Sequence, residues 1–138
     1  EEYADEFEQL VGRVWMGEEP PPGRFQHDPH GEFEVRVLDS DHPATTGLAS
    51  FTTCDELYTC LVGEPEIEVL AEATSIRDGR TYPLAFVLQG SERRVFHCVL
   101  GHDVAALSVP SVAELYRRGT AWAAGLPPVA APAPASNR

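Results

Sequence analysis

The sequence predicts a mixed α/β domain, and three observations carry that prediction. Its 138 residues match the commonest size of one domain and are too few for two comfortable ones. Helical periodicity near each end brackets a central stretch of strand-like runs. The composition, 43% apolar and 23% charged, is ordinary for a chain that buries a core. A globule of this length buries roughly two-thirds of the surface its unfolded chain exposes.

Taken in order, Phe7, Leu10, Val11, Val14 and Trp15 recur at three- and four-residue spacing, which predicts a helix with one buried stripe. Asp5 and Glu8 suit an N-cap pairing for it. The helix must stop before the Glu18–Gly23 run, whose three prolines cannot continue it. From Glu32 to Leu38, Phe33, Val35 and Val37 alternate with Glu34 and Arg36, the pattern of a half-buried strand. His42-Pro43 through Gly47-Leu48 is turn chemistry, and Phe51 to Leu61 carries no clear period. Ile67–Ala71, Leu84–Leu88 and Val95–Leu100 read as strands, the last two forming a β-hairpin across Leu84–Leu100. Val95–Leu100 is apolar on both faces apart from His97, which places it inside the sheet. Ser111 and Glu114 form a capping box for a second helix striped by Val112, Leu115, Tyr116 and Trp122; Gly125 ends it and Pro127-Pro128 blocks its resumption. Residues 127–138 are Pro/Ala-rich and are expected to be a flexible tail after a domain at 1–126.

Two helices cover a sheet of four or five strands poorly. Either the sheet is largely antiparallel with one wet face, or something outside this sequence covers it.

Ten basic against twenty-two acidic side chains give a net charge of −12. That excludes a binder that tracks nucleic-acid phosphates and argues against docking on an anionic membrane. No stretch approaches the roughly 20 apolar residues of a membrane helix, and no basic-then-apolar leader opens the chain. Three cysteines, an odd number without a close pair, fit a reducing, cytoplasmic compartment better than a disulfide scaffold. The opening Glu1-Glu2-Tyr3, in place of Met, points to a processed product or a fragment.

Chemistry concentrates in three places. His27-Asp28-Pro29-His30-Gly31 precedes the first strand, where a His beside an Asp can orient a proton, ligate a metal or simply cap a turn. Asp55, Glu56 and Tyr58 put two carboxylates and a phenol near Phe51 and Leu57; partial burial would make a carboxyl a usable acid or base, but from the sequence alone a solvated acidic loop, which an acidic chain supplies in quantity, is the favoured reading. The sharpest signal is Val95–Asp103, a buried strand ending at Gly101 with His102 and Asp103 just beyond it. A His on such a lip can be general base, proton shuttle or metal ligand, with Asp103 setting its tautomer. His97 reads as a hydrogen-bonded core residue, Cys98 as a small core hydrophobe.

These segments, in this order, resemble the ThuA-like (trehalose-utilisation) family. The likeness rests on Phe25–Phe33 with its His27-Asp28-Pro29, on His42-Pro43 with Gly47-Leu48, and on Asp55-Glu56-Leu57-Tyr58. It continues through Val95-Phe96-His97, Gly101-His102-Asp103, Ala113–Gly119 and Trp122–Leu126. The resemblance implies a three-layer α/β sandwich, flavodoxin-like and akin to class I glutamine amidotransferases, of which this chain carries the C-terminal portion. Cys54, Cys60 and Cys98 do not stand where those enzymes keep their nucleophile. A carbohydrate protein, possessing or lacking hydrolase, lyase or isomerase activity, is then expected to act on trehalose or a keto-sugar. His102, Asp103 and Glu56 would be catalytic; His27, Asp28, Asp55 and Tyr58 would bind substrate. Two alternatives stand beside it. One is a non-catalytic half-domain whose sheet is completed by a partner chain or by a second copy in a homo-oligomer. The other is a metal-dependent hydrolase or lyase holding a divalent ion such as zinc through His27 and His102.

Overall fold

The computed structural model describes residues 2–16, 20, 22–38, 41–90 and 92–127; the expected tail from residue 128 onward lies outside them. The chain runs through α1 (Glu2–Val11), β1 (Val14–Trp15), β2 (Gly31–Val37), β3 (Phe51–Asp55), β4 (Leu61–Val62), β5 (Ile67–Thr74), β6 (Thr81–Leu88) and β7 (Phe96–Cys98). It closes with α2 (Val104–Leu107) and α3 (Pro110–Ala123). Five strands join in the order β3-β2-β5-β6-β7, and β1 pairs with β4 in a separate ribbon. Every one of these pairings is antiparallel.

The first helix ends earlier than its periodicity predicts. Gly12 turns the backbone into the left-handed region at φ 85°, and a Cβ there would overlap the Leu88 side chain. Val14 and Trp15, a β-branched and an aromatic residue, then pair with Leu61 and Val62 as a strand. Asp5 lies within α1 and so is not its cap, while the Glu8 carboxylate accepts from the Glu64 amide at 2.9 Å.

β2 alternates as expected, with Val35 buried between exposed Glu34 and Arg36. β7 differs from expectation: among the described strands it ends the sheet and is not inside it. Its two apolar faces have another cause. Val95–Leu100 packs against α3 on one face and touches the end of α1 on the other. The last residue of α1 brings the Val11 carbonyl to 3.3 Å from His97 Nδ1 on one face. On the other, Gly119 of α3 sits so close to Phe96 that a Cβ would overlap the ring. Val112 and Leu115 of α3 share one buried cluster with Val35, Ala71, Leu84 and Ala85. Each of these buried Val and Leu side chains stabilises the fold by about 1.5–3 kcal/mol.

The start of α3 also departs from the sequence pattern. Its N-cap is Val109, which makes no side-chain cap, with Pro110 opening the helix. Ser111 therefore caps nothing, and Glu114 instead accepts from Arg117 and Arg118 on the same helix. The exit is as predicted: Gly125 adopts φ 72° and the Leu126 amide reaches back to the Ala121 carbonyl. Ahead of it, α2 is a one-turn helix that the sequence pattern does not single out. Asp103 caps it by accepting from the Ala106 amide at 2.8 Å.

Candidate functional site

Two local devices bring distant segments to one place. The first is a single antiparallel bridge between His27 and Tyr58. The Asp28 amide donates to the Leu57 carbonyl at 2.9 Å and the Thr59 amide to the Gln26 carbonyl at 3.0 Å, so the loop ahead of β2 is clipped to the loop after β3. The second is Asp55, fully buried at the end of β3. Its carboxylate accepts from the amides of Gly101 at 2.7 Å, His102 at 3.0 Å and Glu56 at 2.8 Å. A buried charge satisfied by three N–H groups holds two loops in one arrangement.

The result is a cluster of four side chains. His102 Nδ1 lies 3.2 Å from Glu56 Oε2 and 3.2 Å from Tyr58 Oη. His27 Nδ1 is 3.7 Å from the same Glu56 oxygen and 2.8 Å from the Asp28 carbonyl. A nitrogen that faces a carbonyl or carboxylate oxygen carries the proton, so Nδ1–H is the donor on both imidazoles and Nε2 is left with its lone pair. Glu56 is largely covered, with 17% of its side chain exposed against 43% for His102, so the carboxylate is the inner hub and the imidazole its accessible arm. Burial pushes the Tyr58 phenol up from its usual range, reinforced by the charge of Glu56 and a hydrogen bond to it. Tyr58 therefore stays a hydroxyl donor at neutral pH.

Asp28 and Asp55, grouped with these residues by sequence order, turn their carboxylates elsewhere. Asp28 is buried and accepts from the Ser75 hydroxyl at 2.7 Å and the Ile76 amide at 2.9 Å, which ties its loop to the β5–β6 turn. Asp55 is occupied by the three amides described above. Asp103 does not set the His102 tautomer: it caps α2, and its second oxygen lies 3.5 Å from His30 Nε2. Glu56 fills the orienting role. Hydrogen bonding from the Ala106 amide holds the Asp103 carboxyl below the usual range, aided by the nearby His30.

His30, Cys54 and Trp15 also border the cluster. The His30 ring lies 6.0 Å from that of His102, and Cys54 Sγ is 3.9 Å from His30 Nδ1. Trp15 stands edge-on to Tyr58 at 5.1 Å between ring centroids. Beyond them opens a groove of about 540 Å³ walled by Trp15, Tyr58, Leu61 and Val99. Cys98 lines it too, but burial pushes its thiol up to about 11, so it is no nucleophile at neutral pH.

Among the described residues, no group of three or more His, Cys, Asp or Glu side chains is placed to hold a metal ion.

The family model for ThuA, trehalose utilisation, matches residues 1–123. The chain belongs to the ThuA family. No curated protein matches it. Among solved structures, a ThuA-like protein from Parabacteroides merdae is similar at 26% identity with a TM-score of 0.77, over 94% of this chain and 58% of that one. This chain thus spans a little over half the length of that neighbour, and its mixed α/β fold is that of a ThuA-like, flavodoxin-like protein. No helix among the described residues is long and apolar enough to cross a membrane.

Proposed function

We propose that the chain contributes to carbohydrate metabolism by binding, and transforming, trehalose or a keto-sugar at the His102–Glu56–Tyr58–His27 cluster. The observation that carries this reading is the convergence of an imidazole, a carboxylate and a phenol within 3.2 Å at one atom, His102 Nδ1. Each sugar hydroxyl wants both a donor and an acceptor, and this trio offers both. The Trp15–Tyr58 pair supplies an aromatic wall for the C–H face of a sugar ring. The neighbouring groove, about 540 Å³, falls in the size range of small-molecule sites.

In this reading Glu56 holds His102 with its Nε2 free to take a proton from a substrate hydroxyl, or from carbon beside a carbonyl. Imidazole is suited to that task near neutral pH. Tyr58 donates to an oxygen on which negative charge develops, and His27 binds a second hydroxyl. Asp55 is a positioning residue. Three free cysteines accord with a reducing, cytoplasmic setting.

The test is titration of the protein with trehalose, glucose and a 3-keto-glucoside by calorimetry. Glu56→Gln and His102→Asn are each expected to weaken binding by about ten-fold or more, since a hydrogen bond to a charged group is worth about 1.5–3 kcal/mol. Unchanged affinity in both variants, or no binding to any of the three sugars, overturns the assignment.

A second reading is favoured by β7, the terminal strand of the sheet, and by the neighbour's greater length. A partner chain or a second copy would then extend the sheet at that edge. Light scattering decides it: a monodisperse 15.1 kDa monomer that binds sugar removes this reading.

A further inference from the structure

Cys54, His30 and Asp103 form a row that the sugar site does not use. Cys54 is exposed on the solvent side of β3, opposite Glu32 in the β2–β3 register. Its Sγ lies 3.9 Å from His30 Nδ1, and His30 Nε2 lies 3.5 Å from Asp103 Oδ2. The two nitrogens of one imidazole thus face a thiol on one side and a carboxylate on the other. Asp103 is fixed independently, because its other oxygen caps α2. With the proton on Nε2, the nitrogen that faces the carboxylate, Nδ1 has its lone pair toward sulfur. A nucleophile, a base and a group that orients the base, each from a different segment, is the arrangement that activates a thiol.

We propose that Cys54 is a nucleophilic thiol, deprotonated by a His30 that Asp103 orients, and that its electrophile is the carbonyl of an open-chain sugar. The carbonyl part rests on the sugar reading above, since the His30 ring is 6.0 Å from that of His102 and the two clusters share one rim. The chemistry balances without a further reactant. The Cys54 S–H bond breaks and its proton passes to His30 Nδ1. The sulfur electron pair forms a bond to the carbonyl carbon, and the C=O π pair takes the proton from the imidazolium. A hemithioacetal or hemithioketal results; nothing is oxidised and nothing leaves. His102, Glu56 and Tyr58 would then bind the hydroxyls of the captured sugar.

The experiment is alkylation of the folded protein by iodoacetamide, with modification at Cys54 followed by peptide mass spectrometry. At pH 7, His30→Gln is expected to slow the Cys54 reaction about ten-fold, because an unassisted thiol is only a few per cent ionised there. Asp103→Asn should slow it several-fold while keeping α2, as Asn caps a helix as well as Asp does. At pH 9 an ordinary thiol is largely ionised, so the differences should shrink toward nothing; mere loss of access would persist. The charged groups facing the row, Glu32 across the register and His102 beside His30, are unchanged in both variants. Equal rates at pH 7 in the parent protein and His30→Gln overturn the relay. In a second arm, D-glyceraldehyde or dihydroxyacetone should slow alkylation and glycerol should not; His30-dependent alkylation that neither triose slows overturns the carbonyl assignment. Cys54→Ser separates this from the sugar reading, because it leaves His102, Glu56 and Tyr58 in place and sugar titration of that variant reports on them alone.

Discussion

Replacing Asp55 by Asn separates the buried clamp from the chemistry it positions. The carboxylate accepts three backbone amides, Glu56 at 2.8 Å and His102 at 3.0 Å on Oδ1 and Gly101 at 2.7 Å on Oδ2. Asparagine keeps the shape but has one acceptor oxygen. With that oxygen in the Oδ1 position, the amides of Glu56 and His102 keep a partner that has lost its charge. The side-chain NH₂ then faces the Gly101 amide, donor against donor. A hydrogen bond to a charged group is worth about 1.5–3 kcal/mol, and a buried donor left unpaired costs about 1–3 kcal/mol. These figures overlap at Gly101, so the expected loss is about 2–4 kcal/mol. For a chain of this length about 1 kcal/mol lowers Tm by roughly 3–4 °C, giving a fall of about 6–16 °C. Circular dichroism melts at pH 7 measure it, and urea unfolding should return the same m value with a lower midpoint. Because Glu56 and His102 are the tethered residues, sugar affinity should drop as well, at a temperature where both proteins are folded. A Tm within about 2 °C of the parent would refute the reasoning: the amides would then be satisfied by other means, and Asp55 would not set the cluster.

Two further expectations concern stability. Burial lowers the pKa of His42 and of His97 in the folded chain, so below about pH 6.5 the unfolded chain binds more protons and stability should fall as pH drops from about 7 to 5. Urea midpoints across that range test it, with His97→Gln expected to flatten part of the slope and a flat parent profile counting against it. A separate loss, from Glu114 held low by hydrogen bonds from Arg117 and Arg118, should begin only below about pH 4.5. Gly119→Ala should destabilise although alanine is the better helix former: overlap with the Phe96 ring costs about 1–3 kcal/mol, against a helix gain of about 1 kcal/mol. An unfolding midpoint equal to or above the parent's would show that Phe96 yields.

Local periodicity located most of the fold because the packing agrees with it. Phe33, Val35 and Val37 alternate on a strand whose other side is wet, and Val112 and Leu115 point into the core at helical spacing. Where packing overrides local preference, the pattern misleads. Val14 and Trp15 continue the stripe of α1, yet a left-handed Gly12 redirects them into β1. Val95–Leu100 looks like an interior strand because α3 packs on one face and the end of α1 touches the other, and periodicity cannot distinguish a face met by a helix from an edge paired with a strand.

The site divides on the same physical line. His102 and His27 are legible as candidates because each stands at a glycine or proline turn beside a carboxylate, whereas Glu56 and Tyr58 read as part of an acidic loop until the fold brings them to His102. Their partners are not legible, since a carboxylate's role depends on which amides surround it in space. Asp28, Asp55 and Asp103 look alike in sequence, each beside a histidine or a glutamate. In the fold one ties a loop to Ser75, one clamps three amides, and one caps a helix while facing His30. That sorting has a functional consequence. With Asp103 engaged at His30, the burden of orienting His102 falls on Glu56, so the pH dependence of any sugar chemistry at His102 should follow substitution of Glu56 and be indifferent to Asp103→Asn. If Asp103→Asn shifted that profile as strongly as Glu56→Gln, the two clusters would be one coupled unit and the division between sugar binding and thiol activation would have to be abandoned.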